Sequence, residues 1–401
     1  MISVAEAWQV IRAHVAPFGD ECLPVDASVG RVLAQQVIAE RAHPPFDRVT
    51  MDGAAIRWSD PLPDAYPVTD TQLAGSPPKT LPNSYSAIEI MTGAPLAQGA
   101  DTVIPVERYR IEEQETGRRL ILEAGYAPSQ GQFIHKAGSD HDKAAVLLEA
   151  GCFIGPVEVA ILLSAGLTNV HVRKQPQVTV IATGDELVPA GEPIENHQIR
   201  LSNAPAVASL LKRHELASAA VCHLNDNPSV LEQKLADLLQ HNDVLILSGG
   251  VSKGKADHVP AVLTALGVEK HFHFVAQRPG KPMWFGTSRE GTLVFALPGN
   301  PVSTLSCARR YVVEALKLAA GIDVSQHIYA TLGSDWQFNP PLTAFVPATI
   351  ESRSNGAFCV HPLSTNTSGD FASLGGTSGI IELPAQQKSF AAGEAFPWFG
   401  W

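Results

Sequence analysis

Residues 243–258, DVLILSGGVSKGKADH, decide how this chain folds. Val244 to Leu247 form a short apolar run, with Asp243 before it and Ser248-Gly249-Gly250 after it. Such a run, bounded by turn signals, predicts a strand buried on both faces, as in a parallel sheet. The small residues that follow let a ligand approach the backbone, and free N–H groups there can hold an anion. Lys253 and Lys255 add positive charge and Asp257 adds a carboxylate. The stretch therefore predicts a phosphate or nucleotide site at the carboxyl end of a strand. It also approaches the P-loop pattern, but Ala256 stands where that motif needs a Ser or Thr hydroxyl for Mg²⁺.

Strand and helix patterns alternate on both sides of this stretch, from Gln177 to about Ala319. Strands are predicted at 178–182, 217–224, 244–247 and 293–297, with helices ending near Arg213, Gln240, Leu266 and Ala319. This alternation predicts a doubly wound α/β domain. Asn300 followed by Pro301 reads as an N-cap and first helical residue. The loops after the strands carry Thr183-Gly184-Asp185-Glu186, Asn225-Asp226-Asn227, and Pro298-Gly299-Asn300. In open parallel sheets such loops form the ligand crevice. Carboxylates at successive strand ends beside a phosphate-binding turn suit a divalent cation that bridges protein and phosphate. Lys253, Lys255, Arg278 and Lys281 could balance the phosphate charge.

The flanks read differently. An amphipathic helix is predicted over 1–16, a helix over 156–166, and either a helix or a strand-like segment over 29–39. Residues 44–140 are rich in Pro, Gly and Thr with short alternating runs, and the chain turns β-like again after Gly321. His135, Asp140, His141 and Asp142 offer metal-ligand types, but at irregular spacing in a loop, and read as a surface turn. The 401 residues carry a net charge of −11, which supplies no broad basic field for a nucleic acid. No uncharged apolar run approaches the length of a membrane span, which is about 18 residues or more. Five scattered cysteines without a CxxC pair predict a reduced, cytoplasmic protein.

Taken in order, the loops closely resemble one family, the molybdopterin molybdenumtransferases (MoeA and the gephyrin E domain). The matching motifs are TMDG at 50–53, MTGAP at 91–95, GADTV at 99–103, GSD at 138–140, TGDEL at 183–187, SGGVSKGKAD at 248–257, RPGKP at 278–282 and LPGNPVS at 297–303. The resemblance implies a multidomain, elongated subunit combining β-rich domains with a MogA/MoaB-like, molybdopterin-binding α/β domain. Its expected domains are 1–45 with 141–173, 46–140, 174–322 and 323–401. The implied reaction inserts molybdenum from molybdate into adenylated molybdopterin, with release of AMP and with Mg²⁺ as cofactor.

By motif position, Asp52, Thr92, Asp140, Glu186, Asp226 and Asp257 match family active-site residues, with Arg278 and Lys281 stabilising charge. Glu186, Asp226 and Asp257 are the implied metal ligands. Thr183, Gly184, Ser248, Gly249, Gly250, Ser252, Pro298, Gly299, Asn300 and Ser368 are the expected binding residues. The implied partners are a second copy of the chain, whose β-rich domain would face the α/β domain, a molybdopterin adenylyltransferase and molybdoenzyme maturation proteins.

Around these motifs the chain departs from the family at Ala54, Leu201, Phe274, Arg278 and Pro347. These departures motivate the alternative of a non-catalytic molybdopterin carrier or scaffold. A further alternative is an enzyme acting on tungstate.

Overall fold

The computed structural model describes residues 1–401 except 116, 252–257 and 366. The chain divides into two compact units. One is Met1–Gln35 with Ala150–Val159 and Asn169–Trp401, and the other is Gln36–Glu149 with Ala160–Thr168.

In the larger unit, Val178–Thr183, Val244–Ser248 and Leu293–Leu297 are buried along their whole length. They lie side by side in a six-stranded sheet, with Ala220–Leu224 on the outer side of Val178–Thr183. These four strands are parallel, in a register that aligns Val180 with Ile246 and Ile246 with Phe295. Trp284–Thr287 and Glu269–His273 continue the sheet antiparallel. The strand period of two divides the core between the two faces. Val180, Ile246 and Phe295 pack on one face among Val207, Leu211 and Tyr311. Ile181, Leu245, Leu247 and Val294 pack on the other among Leu231, Leu235 and Leu263. Helices Asn203–Arg213 and Pro228–His241 thus cover opposite faces, which is the doubly wound arrangement predicted.

The C-terminal strands form a closed barrel. Thr343–Ser352 pairs with both Phe358–Pro362 and Gly379–Leu383, and Ile328–Leu332 and Ala395–Gly400 complete the ring. Gln277–Arg278 pairs parallel with Thr343 and Ala344 at the start of the first of these strands.

The predicted terminal helix is Val4–His14, where Ser3 and Glu6 form a reciprocal capping box. The 29–39 segment is not helical. It holds only the two-residue strand Val37–Ile38 and isolated bridges at Val32 and Leu33. Gly30, at φ 81°, breaks the segment into turns.

The helix predicted after Pro301 is interrupted by a π turn at Ala308–Val312. A π turn adds a residue to the turn, which rotates the facing side chains by about 100°. Arg309, Arg310 and Tyr311 are all buried there. Arg309 pairs with Glu314 at 2.7 Å and donates from Nε to the Gly400 carbonyl. Arg310 pairs with Glu382 at 2.5 Å, and its guanidinium lies 4.9 Å from the Phe399 ring centre. The contacts to Gly400, Glu382 and Phe399 tie the helix to the barrel strands.

In the smaller unit, a six-stranded sheet runs in the order Thr102–Pro105, Gly53–Ile56, Ala87–Ile90, Ala65–Gln72, Gly117–Leu122, Tyr109–Gln114. Its faces separate in the same way, with Ala55, Ile88 and Val103 on one side and Ala54, Ile56 and Ile104 on the other. Glycine is required at position 53, because a Cβ there would stand 2.0 Å from the Ile104 carbonyl oxygen. Among the described residues, no helix is long and apolar enough to cross a membrane.

His214, which caps helix Asn203–Arg213, has a buried Nε2 without a partner among the described residues. Burial, with Arg309 and Lys317 nearby, lowers its pKa from 6.5 to about 4. The folded protein therefore keeps His214 neutral while the unfolded chain takes up a proton below pH 6.5. The His214 contribution is present above pH 6.5 and is lost progressively as pH falls towards 4. His214→Asn should flatten the pH dependence of stability across this window. Urea unfolding at a series of pH values measures the effect.

Candidate functional site

The site begins where three neighbouring parallel strands end, at Thr183, Ser248 and Leu297. Glycines let the loops beyond them pack backbone against backbone. Gly249 has φ 106°, and a Cβ there would lie 2.6 Å from the Thr183 carbonyl oxygen. Gly250 has φ 66°, and its Cβ would meet Val259 at 2.8 Å. At Gly184 a Cβ would stand 2.5 Å from the Glu186 carboxylate, so this carboxylate folds back over the glycine. The Gly249 amide donates to the Leu297 carbonyl at 3.2 Å. This corrects the expectation that it cradles phosphate, because the amide is used to join two strand ends. What Gly249 contributes is the close approach.

These loops enclose a cavity of about 600 Å³. Thr183, Gly184, Glu186, Asp226, Ser248, Gly249, Gly250, Pro298, Gly299 and Asn300 all line it, as the sequence reading expected of binding and metal-ligand positions. Ser252 and Asp257 lie outside the described residues. Among the described residues no group donates a hydrogen bond to the Glu186 carboxylate. The neighbouring Asp185 is occupied, accepting from the Asn225 side chain at 2.9 Å and the Asp226 amide at 3.3 Å. It holds two loops in register, and Glu186 and Asp226 are left as the carboxylates on the cavity wall.

Arg278 and Lys281 do not line this cavity. They line an adjoining one of about 620 Å³, together with Pro347, Thr367 and Ser368. The two cavities share Pro282, Pro298, Gly299 and Asn300. Asn300 does not cap its helix with its side chain, as its position before Pro301 suggested. Its Nδ2 donates instead to Ser368 Oγ at 2.7 Å, so the side chain holds a loop of the C-terminal region against the turn between the cavities. Among the described residues neither the Arg278 guanidinium nor the Lys281 ammonium has an ion-pair partner. Two unpaired cations on one wall suit an oxyanion.

Two further groups were not singled out as site residues in the sequence. Asn203 donates from Nδ2 to the Gly299 carbonyl at 2.7 Å and to Ser248 Oγ at 3.0 Å. A carbonyl can only accept, so the amide orientation is determined. Among the described residues Asn203 Oδ1 and Thr183 Oγ1 are then left buried without partners beside the cavity. Buried polar atoms are costly to leave unmatched, which points to a ligand with its own donors and acceptors. The local signals were Ser202-Asn203 before a helix, which reads as a cap, and the resemblance of residues 200–203 to a family motif from which Leu201 departs.

The second group supports the Arg278–Lys281 loop. Tyr311 donates to Gln277 Oε1 at 2.5 Å, and Gln277 Nε2 donates to the Gly280 carbonyl at 2.9 Å. Gln277 and Tyr311 are fully buried. They are 34 residues apart, so no local pattern joins them.

In the smaller unit, the TMDG and MTGAP motifs meet. The Thr92 amide and hydroxyl donate to Asp52 Oδ1 at 2.6 and 2.7 Å, and hold its carboxyl below the ordinary value. Asp140 bonds to His135 at 2.7 Å, with His43 at 3.8 Å.

Replacing Gln277 by Leu would orphan the Tyr311 hydroxyl and leave the Gly280 carbonyl with only the long Cys307 thiol contact at 3.9 Å. The expected cost is about 1–3 kcal/mol for each orphaned group. Tyr311→Phe removes its own hydroxyl and should cost less. The midpoint of denaturant unfolding ranks the two.

Residues 2–166 match the family described as the MoeA N-terminal region (domains I and II). Residues 179–318 match a probable molybdopterin-binding domain, and 329–400 match the MoeA C-terminal region (domain IV). The chain is 39% identical over its whole length, and that of the relative, to a molybdopterin molybdenumtransferase of Synechocystis. It is 31% identical to one from Staphylococcus aureus, over 98% of this chain and 94% of that one. The crystal structure of a molybdopterin biosynthesis MoeA protein from Pyrococcus horikoshii superposes with a TM-score of 0.83 at 29% identity, covering 100% of this chain and 99% of that one.

Proposed function

The chain belongs to the molybdopterin molybdenumtransferase family, and from that membership we propose that its α/β crevice binds adenylated molybdopterin and exchanges the adenylate for molybdenum supplied as molybdate, with release of AMP. One observation carries this reading: two adjoining cavities, one with carboxylates and buried polar atoms unmatched among the described residues, the other with two cations that have no ion-pair partner among the described residues.

The division of labour follows from chemistry. Asn203 Oδ1 can accept from an N–H and Thr183 Oγ1 can donate or accept, which matches a heterocycle edge. Arg278 and Lys281 offset the charge of phosphate or of the molybdate dianion. Pro282, Pro298, Gly299 and Asn300 bring the two bound groups close enough to react, which is the positional part of catalysis.

Mg²⁺ fits the first cavity, because Glu186, which accepts no hydrogen bond among the described residues, lines it beside Asp226. Glu186 and Asp226, with Asp257, would hold it. When bound it supplies charge neutralisation at the phosphoanhydride. The carrier alternative finds no support among the relatives. The same proposal includes a homodimer in which Asp52 and Thr92 act on the crevice of the other subunit. It also includes a cytoplasmic setting, in keeping with cysteines that are all free thiols.

Purified protein given adenylated molybdopterin, molybdate and Mg²⁺ should release AMP and yield active cofactor. Failure of both overturns the reading. Glu186→Gln and Asp226→Asn should each slow AMP release roughly 10²-fold or more while the pterin nucleotide still binds. Lys281→Ala should raise the KM for molybdate more than it lowers binding of the nucleotide.

Mixing inactive Asp52→Asn and Glu186→Gln proteins tests the dimer. Statistical reassortment into heterodimers should restore about a quarter of wild-type activity. Sites complete within one subunit would restore none.

A further inference from the structure

In the C-terminal barrel, the strand Phe358–Pro362 pairs antiparallel with Thr343–Ser352, and the register sets Cys359 directly opposite Glu351. Side chains alternate along a strand, so His361 shares the face of Cys359. A carboxylate oxygen of Glu351, the Cys359 sulfur and a ring nitrogen of His361 all lie within 4.8 Å of one another. Among the described residues this is the one group of three metal-ligating side chains so placed. None of the three lines the two cavities described above.

Two observations go beyond proximity. The first is a cation already seated on the group. Arg353 Nη2 donates to Cys359 Sγ at 2.8 Å, and Arg353 Nε lies 3.4 Å from Glu351 Oε1. The second is Gly333. Its backbone is not in the left-handed region, yet a Cβ there would stand 2.5 Å from the His361 ring and 3.1 Å from Cys359 Sγ. Glycine at 333 is thus what lets the imidazole lie beside the thiol. A surface ion pair among Glu351, Arg353 and His361 would need neither the buried thiol beneath the guanidinium nor this space.

We propose that Glu351, Cys359 and His361 form a Zn²⁺ site with an open fourth position, in which Arg353 holds the place of the metal until the metal displaces it. Sulfur, nitrogen and carboxylate oxygen are the donor types Zn²⁺ takes. Its bond lengths put tetrahedral donors roughly 3.3–3.8 Å apart; His361 Nε2 and Glu351 Oε1 already stand 3.5 Å apart, and the contacts to sulfur need close by no more than about 1 Å. The side chains of His361 and Glu351 are 46% and 53% exposed, whereas Cys359 is fully buried, so the closure falls to the two exposed side chains. Binding releases the thiol proton to solvent, and the thiolate then bonds the metal.

The test titrates full-length, pterin-free, chelator-treated protein with Co²⁺ and Zn²⁺, in excess Mg²⁺ to occupy the crevice carboxylates. One Co²⁺ per chain should bind with a thiolate-to-cobalt charge-transfer band, and Zn²⁺ should displace it. Cys359→Ser should abolish the band. Glu351→Gln and His361→Ala, at exposed positions where the fold tolerates change, should each weaken binding at least tenfold. Arg353→Ala should strengthen binding severalfold, because a competing cation is gone. Thermal unfolding verifies the fold of each variant. The proposal is overturned if no thiolate band appears, if the band survives in Cys359→Ser, or if Arg353→Ala weakens binding.

Discussion

Gly249 has its amide bonded to the Leu297 carbonyl, and the place of its missing Cβ lies 2.6 Å from the Thr183 carbonyl oxygen. One residue thus holds three strand ends at backbone contact distance, and the geometry of the crevice follows from this. With a side chain at position 249 the loops would separate, and Thr183, Ser248 and Gly299 would no longer line one cavity. The glycine weakens the local chain, since it is the residue most costly to order. The buried sheet below offsets that cost. Val178–Thr183, Val244–Ser248 and Leu293–Leu297 are covered on both faces, and apolar burial of this kind is the dominant favourable term in folding.

A second constraint acts on the other cavity. The Arg278–Lys281 loop is anchored twice. Gln277–Arg278 extends the barrel sheet along Thr343 and Ala344, and Gln277 is fixed from behind by Tyr311. Tyr311 comes from the π turn, which also aims Arg309 and Arg310 at the barrel. Breaking one of these buried pairs would leave an uncompensated charge, at a cost of about 3–5 kcal/mol. The irregular turn therefore links the position of the Arg278–Lys281 loop to the attachment of the barrel. The pKa of Cys307, in the same network, is pushed up to about 12 by burial, so it remains a neutral packing group.

Much of this was legible along the chain. The Val244–Ser248 strand and the strand–helix alternation around it are local patterns that the fold realises, and of the carboxylates after the strands Glu186 and Asp226 line the crevice. Three readings needed the fold. Asp185 and Glu186 are adjacent and chemically alike, yet one clamps loops and the other faces the cavity. Asn300 sits at a cap position but spends its side chain on Ser368. Arg278 and Lys281, grouped with the carboxylates by charge, belong to the neighbouring cavity.

The sequence by itself determined the doubly wound sheet, the order of the loops and the residue types at each strand end. Apolar period and turn chemistry are local properties, readable within a few residues. Only the tertiary structure decided which polar atoms are spent and which are left over. Asn203 and Gln277 take their roles from partners far along the chain, Gly299 and Tyr311, and Cys359 takes its place from the pairing of two barrel strands. Hydrogen bonds saturate, so the atoms available to a ligand are those the fold leaves unmatched, and that remainder is a property of the whole contact network.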